Sequence, residues 1–148
     1  MTPRPFAAIR LLLLPVFVWA GFVAYGYNVE FFGQLIPIPQ DRSLVFGALL
    51  AQGFLAAAVI SILFSYPLAL IYRKSAVAVA LVMALPVLVL RLPELSAFDR
   101  HPVALAISAY EVFAYAVLLV AGTWLAQRHL ARSNPVFKRD SPRSGRVP

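Results

Sequence analysis

The chain has 148 residues and a net charge of +7, and 61% of its residues are hydrophobic while only 13% are charged. A water-soluble domain is closer to half apolar and about a quarter charged, and a core of this size could not enclose so much apolar surface. This composition therefore excludes an ordinary soluble globular fold. Cysteine is absent, which excludes disulfides, thiolate metal sites and thiol catalysis.

Four apolar runs predict an all-α membrane protein, a four-helix transmembrane bundle, with helices at about 7–27, 44–72, 75–90 and 103–126. A helix needs roughly 20 residues to cross a hydrocarbon core about 30 Å thick. The first run has the basic flank of a secretory signal, but its length and the lack of a small-residue cleavage site favour a retained helix. We therefore expect residues 1–130 to form one transmembrane domain.

The two central runs depart from the ideal length in opposite directions. The run 44–72 is longer than a crossing needs, which indicates tilt. The run 75–90 is short, and it spans only if Lys74 and Arg91 extend to the two interfaces. A very tight turn is expected at Arg73 and Lys74. If the run 75–90 were re-entrant, the chain after it would change sides.

Prolines mark both the helices and the first loop. Pro102 suits the first position of the last helix, where a missing N–H does no harm. The segment 28–42 is apolar and contains two prolines, which favours a polyproline-like or interfacial segment. The helices also contain internal prolines, which indicate either kinks that neighbouring groups compensate or hinges: Pro15, Pro67 and Pro86.

The basic residues predict the orientation. With the N-terminus, the 73–74 turn and the C-terminal tail on one side, that side holds most of them: Arg4, Arg10, Arg73, Lys74, Arg128, Arg132, Lys138, Arg139, Arg143 and Arg146. The other side holds Arg42, Arg91 and Arg100. Cytoplasmic loops carry the excess of Lys and Arg, so both termini are predicted in the cytoplasm, in an N-in/C-in arrangement.

Glu111 is the only acid inside an apolar run, and it is the main candidate for an intramembrane function. It lies nine residues past Pro102, so about 13 Å into the membrane. A charge at that depth needs a partner or a proton. Gln52 is expected at a similar depth on the second helix, and its amide could bond Glu111. Together with Ser108 and Tyr115 these residues form a predicted polar seam, which serves either as contact between helices, as a proton or cation relay, or as a docking contact.

The C-terminal segment 131–148 is predicted to be a basic, disordered cytoplasmic tail. Four residues are expected to contact anionic lipid headgroups or a partner protein: Arg128, Arg132, Lys138 and Arg139. The positive charge fits the membrane topology rule and anionic lipid better than nucleic acid, so no nucleic-acid partner is predicted. Neither a catalytic site, a metal site nor a cofactor is predicted, and the motifs point to no known family.

The sequence thus favours a small multi-pass protein of a bacterial inner membrane. The first hypothesis is a non-enzymatic accessory or assembly subunit of a larger membrane complex, because the chain is small and lacks motifs. The second is a small oligomeric transporter or channel that uses Glu111 for a proton or cation. The third is an enzyme that acts on membrane lipid at the outer face, where a loose charged group gathers: Glu30, Asp41, Arg91, Glu94, Asp99, Arg100 and His101.

Overall fold

The protein is all-helical. The computed structural model describes residues 5–96 and 102–133; helix covers 95% of these residues and no strand occurs among them, which confirms the all-α class. The helices are α1 (Pro5–Leu35), α2 (Arg42–Tyr72), α3 (Ala76–Ser96) and α4 (Pro102–Ser133), and a 3₁₀ turn at Arg73–Ser75 joins α2 to α3.

Three segments of the described chain are long and apolar enough to cross a membrane: Ile9–Leu35, Leu44–Pro93 and Pro102–Ser133. They make the chain an integral membrane protein. Length and composition do not support the expected count of four transmembrane helices, because the second segment has 50 residues and contains α2, the 3₁₀ turn and α3 together.

The helices extend further than the apolar runs that predicted them. α1 continues to Leu35, so the expectation of a polyproline-like segment from residue 28 is wrong for 28–35. α3 runs to Ser96, and α4 runs from Pro102 to Ser133. Hydropathy marks the part of a helix that lies in hydrocarbon, whereas a helix can continue into the polar interface. Residues 131–133 of the predicted tail belong to α4. The rest of the predicted tail, 134–148, lies outside the described residues.

Contacts at both ends fix the directions of the helices. At one end, here called the turn end, the Tyr72 hydroxyl of α2 donates to the Arg10 carbonyl of α1 over 3.0 Å. At the other, the loop end, the Gln52 amide donates to the Ile36 carbonyl over 2.7 Å. α1 and α2 are therefore antiparallel, since residues early in α1 meet residues late in α2.

α4 runs parallel to α2, and α3 runs antiparallel to both, from the turn end to the loop end. Glu111, early in α4, contacts Gly53, early in α2. It also bonds Arg91, late in α3. At the turn end the Gln127 amide donates to the Arg73 carbonyl. The chain therefore reverses between α2 and α3, at the position where the sequence predicts a tight turn.

Arg73 produces this reversal. Its φ of 48° lies in the left-handed region, and one left-handed residue directly after the last helical residue is a common way to end a helix. The Ser75 hydroxyl donates to the Tyr72 carbonyl over 2.9 Å, which closes the 3₁₀ turn. α3 then begins at Ala76, whose side chain is fully buried.

α2 and α4 share the most extensive contact of any pair of helices in the described chain. Small residues recur at every fourth position of α2: Gly53, Ala57, Ser61 and Ser65. α4 presents Gly122, where an added Cβ would overlap the Ser65 hydroxyl and lie 3.3 Å from the Ser65 Cβ. Lipid tails are as apolar as leucine, so helices in membranes gain stability mainly by close packing of small residues. The α2–α4 seam is this kind of contact.

α1 is the least buried of the apolar segments. Only 11% of its most apolar window is buried, compared with 33% for the α2–α3 segment and 28% for α4. Among its described side chains, the buried residues are Gly21 and Tyr25, which lie one turn apart. The core therefore belongs mainly to α2, α3 and α4, and α1 covers one side of it.

Candidate functional site

The most polar site within the described helices is an ion pair between α3 and α4. The Arg91 guanidinium donates to a Glu111 carboxylate oxygen over 2.6 Å. Only 9% of the Glu111 side chain is exposed, compared with 26% for Arg91. Arg91 lies five residues before the end of α3, so its long side chain can reach the boundary of the apolar region while its head group neutralises the more deeply placed acid.

Glu111 also packs against the backbone of α2. A Cβ added at Gly53 would lie 3.0 Å from the Glu111 Cγ and 3.5 Å from its Oε1. Only a glycine leaves this room without displacing the carboxylate. The acid is therefore enclosed by α2 on one side and by the α3 guanidinium on another, in a position set by the closeness of α2 and α4.

Two buried tyrosines extend this polar cluster towards α1. The rings of Tyr25 and Tyr115 lie 4.8 Å apart between centroids, and Tyr115 follows Glu111 by one turn on the buried face of α4. Neither hydroxyl has a hydrogen-bond partner among the described residues. Gly21 leaves room for the Met83 side chain, whose Cε would lie 2.5 Å from an added Cβ, and the Tyr115 hydroxyl would lie 3.4 Å from the same position, in ordinary contact. We call Arg91, Glu111, Tyr25 and Tyr115 the polar cluster.

The predicted seam residues fall near one another but form a different set of bonds. Ser108, Glu111 and Tyr115 are all buried on one face of α4, and Gln52 is 7% exposed on α2. Gln52 lies next to Gly53, at the level of Glu111, yet its amide donates to the Ile36 carbonyl. Gln52 thus anchors the α1–α2 loop, and Arg91 supplies the partner that the sequence assigned to Gln52.

Sequence reasoning missed Arg91 and Tyr25 as members of the site. Arg91 directly follows the third apolar run, which predicts a position at the membrane boundary, and no motif marks Tyr25. The sequence contains one signal for Arg91. It comes directly after an apolar run, on the side of the membrane to which Glu111 is also predicted to be nearer. A side chain six bonds long can then reach inward as well as outward.

An apolar layer lies on the turn-end side of the polar cluster. Ile60 of α2, Met83 of α3 and Leu119 of α4 are each fully buried. Beyond this layer the α2–α4 seam contains the buried hydroxyl groups of Ser65 and Thr123, which have no hydrogen-bond partner among the described residues. At the level of Ile60, the Ser61 hydroxyl donates to the Ala57 carbonyl over 2.8 Å. The two polar regions are therefore separated by tightly packed hydrocarbon.

The predicted headgroup contacts lie at the turn end. Arg128 and Arg132 are exposed in the last turns of α4, and the Arg128 guanidinium stacks 3.7 Å from the centroid of the Trp124 ring. This pairing of an aromatic ring and a cation suits a membrane interface. Lys138 and Arg139 lie outside the described residues, and their contacts stay a prediction.

The loose charged group at the loop end is only partly described. Glu30 and Asp41 are exposed, while Arg91 turns inward to Glu111. The side chain of Glu94 and residues 97–101 lie outside the described part. Within the described helices, no three His, Asp or Glu side chains lie close enough to hold a metal ion.

Comparison with protein-family models, with curated proteins and with solved structures finds no match. The function must therefore be argued from the geometry of the helices.

Proposed function

We propose that the chain crosses a bacterial inner membrane four times with both termini in the cytoplasm, and that it acts as a non-enzymatic accessory or assembly subunit of a larger membrane complex. The observation that carries this proposal is the ion pair between Arg91 and Glu111. The one intramembrane acid is neutralised within the chain, so it holds α3 to α4.

The reversal at Arg73 supports four crossings. Gly53 of α2 and Arg91 of α3 both contact Glu111 at the loop end, whereas the Arg73 carbonyl is bonded at the turn end. α3 has 21 residues, so it is about 31 Å long and matches a hydrocarbon core about 30 Å thick. The 50-residue segment is then two crossings joined by a turn. The excess of basic residues supports a cytoplasmic turn end.

Single cysteines test this topology cleanly, because the chain has no cysteine of its own. We expect a membrane-impermeant maleimide added to intact cells or spheroplasts to label Gln40→Cys and to leave Ser133→Cys unlabelled until the membrane is broken. With three crossings, Gln40 and Ser133 would lie on the same side and would label together. Lys74→Cys provides a control, since it should behave as Ser133→Cys does.

The accessory role is supported by the way the polar groups are used. Gln52 fastens the α1–α2 loop, Gln127 fastens the 3₁₀ turn, and Arg91 fastens α4. These bonds stabilise the bundle. The outward surface is apolar along every helix, with Leu12, Ile62 and Phe113 among its most exposed side chains. Such a surface suits lipid or the flank of another membrane protein, and the exposed α1–α2 loop and the basic tail are the proposed docking surfaces.

Purification from native membranes in a mild detergent, followed by mass analysis of the intact particle, tests the accessory role. We expect a particle heavier than the 148-residue chain that contains a different membrane protein at fixed stoichiometry. A pure homo-oligomer that moves protons or cations when reconstituted into liposomes would overturn the proposal.

Transport through a homo-oligomer is a second candidate, favoured by the buried Tyr25 and Tyr115 hydroxyls beside Glu111. Unpartnered hydroxyls next to an acid can hold water and pass protons. The apolar layer of Ile60, Met83 and Leu119 opposes this candidate, because it closes the path inside one protomer.

Glu111→Gln distinguishes the two candidates. It keeps the shape and one acceptor oxygen for Arg91 but removes the titrating group. For an accessory subunit we expect growth and complex assembly to remain at the wild-type level, measured by complementation in cells that lack the protein. Loss of a pH-dependent flux in liposomes, with the fold intact by thermal melting, would instead assign Glu111 a titrating role.

A further inference from the structure

A groove with a volume of about 230 Å³ opens between α1 and α3 at the turn end. Leu11 and Leu14 of α1 form one wall and Val79 of α3 the other, while Arg10, Tyr72 and Ser75 surround its end. We propose that this groove is a specific site for an anionic phospholipid, with an acyl chain between the leucines and Val79 and the phosphate on Arg10 and Lys74.

The groove is accessible from the bilayer. The Leu11 side chain is 71% exposed, while Tyr72 and Val79 are buried to 5% and 8% exposure. The outer wall thus faces lipid, and the floor belongs to the protein core. An acyl chain in the groove replaces contacts with other acyl chains by contacts with equally apolar side chains, so the apolar walls alone give little preference for any lipid. Selectivity must come from the headgroup.

The charges near the groove select an anion. Arg10 lies at its end, and Lys74 directly precedes the lining residue Ser75 in the 3₁₀ turn that follows Tyr72. The acids whose side chains are described lie towards the loop end: Glu30, Asp41 and Glu111. Positive charge therefore prevails at the turn end of the described helices. Basic pockets between helices at the cytoplasmic face of a membrane bind anionic lipid headgroups.

The end of the groove is rigid. The Tyr72 hydroxyl donates to the Arg10 carbonyl over 3.0 Å, and the Tyr72 ring packs edge-on against Phe17 with centroids 6.0 Å apart. The Arg10 backbone is therefore held in place while its guanidinium remains partly exposed. Because the Tyr72 and Ser75 hydroxyl hydrogens are used within the protein, the donors for a phosphate are the cations Arg10 and Lys74.

Native mass spectrometry tests the site. The intact protein is equilibrated in micelles that contain equal amounts of phosphatidylglycerol and phosphatidylcholine. We expect wild-type protein to retain phosphatidylglycerol preferentially and Arg10→Gln to weaken its binding about fivefold, the equivalent of about 1 kcal/mol. Arg10→Lys is the matched control, since it keeps one positive charge at the end of the groove, and it should change binding less than twofold. Equal retention of the two lipids, or equal effects of the two variants, would overturn the proposal.

A second measurement uses wild-type protein alone and remains decisive if Arg10→Gln fails to fold. Phosphatidylglycerol with a photoreactive diazirine in its acyl chain is crosslinked in vesicles of phosphatidylglycerol and phosphatidylcholine, and the adducts are mapped by peptide mass. We expect adducts concentrated on Leu11, Leu14 and Val79, and an even distribution along all helices would contradict the site. The leaflet in which the lipid binds depends on the proposed topology, but the preference for phosphatidylglycerol does not. Failure of the cysteine-labelling test would therefore leave the lipid result standing.

Discussion

Arg91→Met should lower the free energy of unfolding by about 3 kcal/mol, the cost of removing one partner from a buried ion pair. The reason is that Glu111, with only 9% of its side chain exposed, would lose the guanidinium that neutralises its charge beside Gly53. Unfolding in mixed micelles, followed by helix content, measures the change. Arg132→Met removes an exposed charge from the last turn of α4 and should stay within about 0.5 kcal/mol of wild type.

Loss of the Glu111 charge should lower the free energy of unfolding less than loss of the Arg91 charge does. Glu111→Gln should cost only about 1 kcal/mol, since the amide oxygen still accepts a hydrogen bond and Arg91 can turn its charge to the interface. The double variant Arg91→Met/Glu111→Met removes both charges and should recover most of the loss, because buried ion pairs are often replaceable by apolar residues of similar volume. If Arg91→Met proves no more harmful than Arg132→Met, the ion pair does not hold α3 to α4.

Gly122→Leu should be the second large effect, with a loss of about 3 kcal/mol from overpacking. The first side-chain atom would already overlap the Ser65 hydroxyl, and the next nearest atoms are the Ser65 Cβ at 3.3 Å and the Ser61 carbonyl oxygen at 3.7 Å. The α2–α4 seam would have to open, and with it the support that Gly53 gives to Glu111. Thermal melting in mild detergent measures the loss.

A matched pair of variants shows whether the cause is this close approach. Gly122→Ala should be destabilising alone, yet it should be close to neutral when combined with Ser65→Gly, which removes both of the nearest atoms. Gly26→Leu on α1 is the control, because a Cβ at Gly26 meets nothing within 4 Å; its effect should remain within about 0.5 kcal/mol. An equal loss at Gly26 and Gly122 would indicate that glycine is needed for the helix itself, rather than for the contact with α2.

The apolar runs of the sequence predict where the helices cross hydrocarbon, and the interruption at Arg73 and Lys74 predicts where α2 ends. They do not predict where α1 ends, because Asn28 and Glu30 look like the start of a loop. In the structure the Asn28 amide donates to the Ala24 carbonyl of its own helix over 2.8 Å, so polar residues continue α1 into the interface. These extra turns extend α1 to Leu35. The carbonyl of the next residue, Ile36, then accepts a hydrogen bond from the Gln52 amide.

The candidate site was predictable as a set of positions but not as a set of bonds. Helical spacing places Ser108, Glu111 and Tyr115 on one face of α4, and all three are buried. The partner of Glu111 depends on which neighbouring helix presents a donor at its level, and that is decided by tertiary packing. Arg91 near the end of α3 reaches it, while the Gln52 amide donates to the Ile36 carbonyl of the loop.

The small buried share of α1 bears on the order in which the protein is made. α1 leaves the ribosome before its neighbours, yet only 11% of its most apolar window is buried, against 33% for the segment that follows. Chains are synthesised from the N-terminus, so α1 enters the bilayer before α2, α3 and α4, and few of its apolar residues gain protein contacts even in the complete bundle. Its own apolar length must therefore suffice for insertion, and the bond from the Tyr72 hydroxyl to the Arg10 carbonyl joins it to α2, the next helix made.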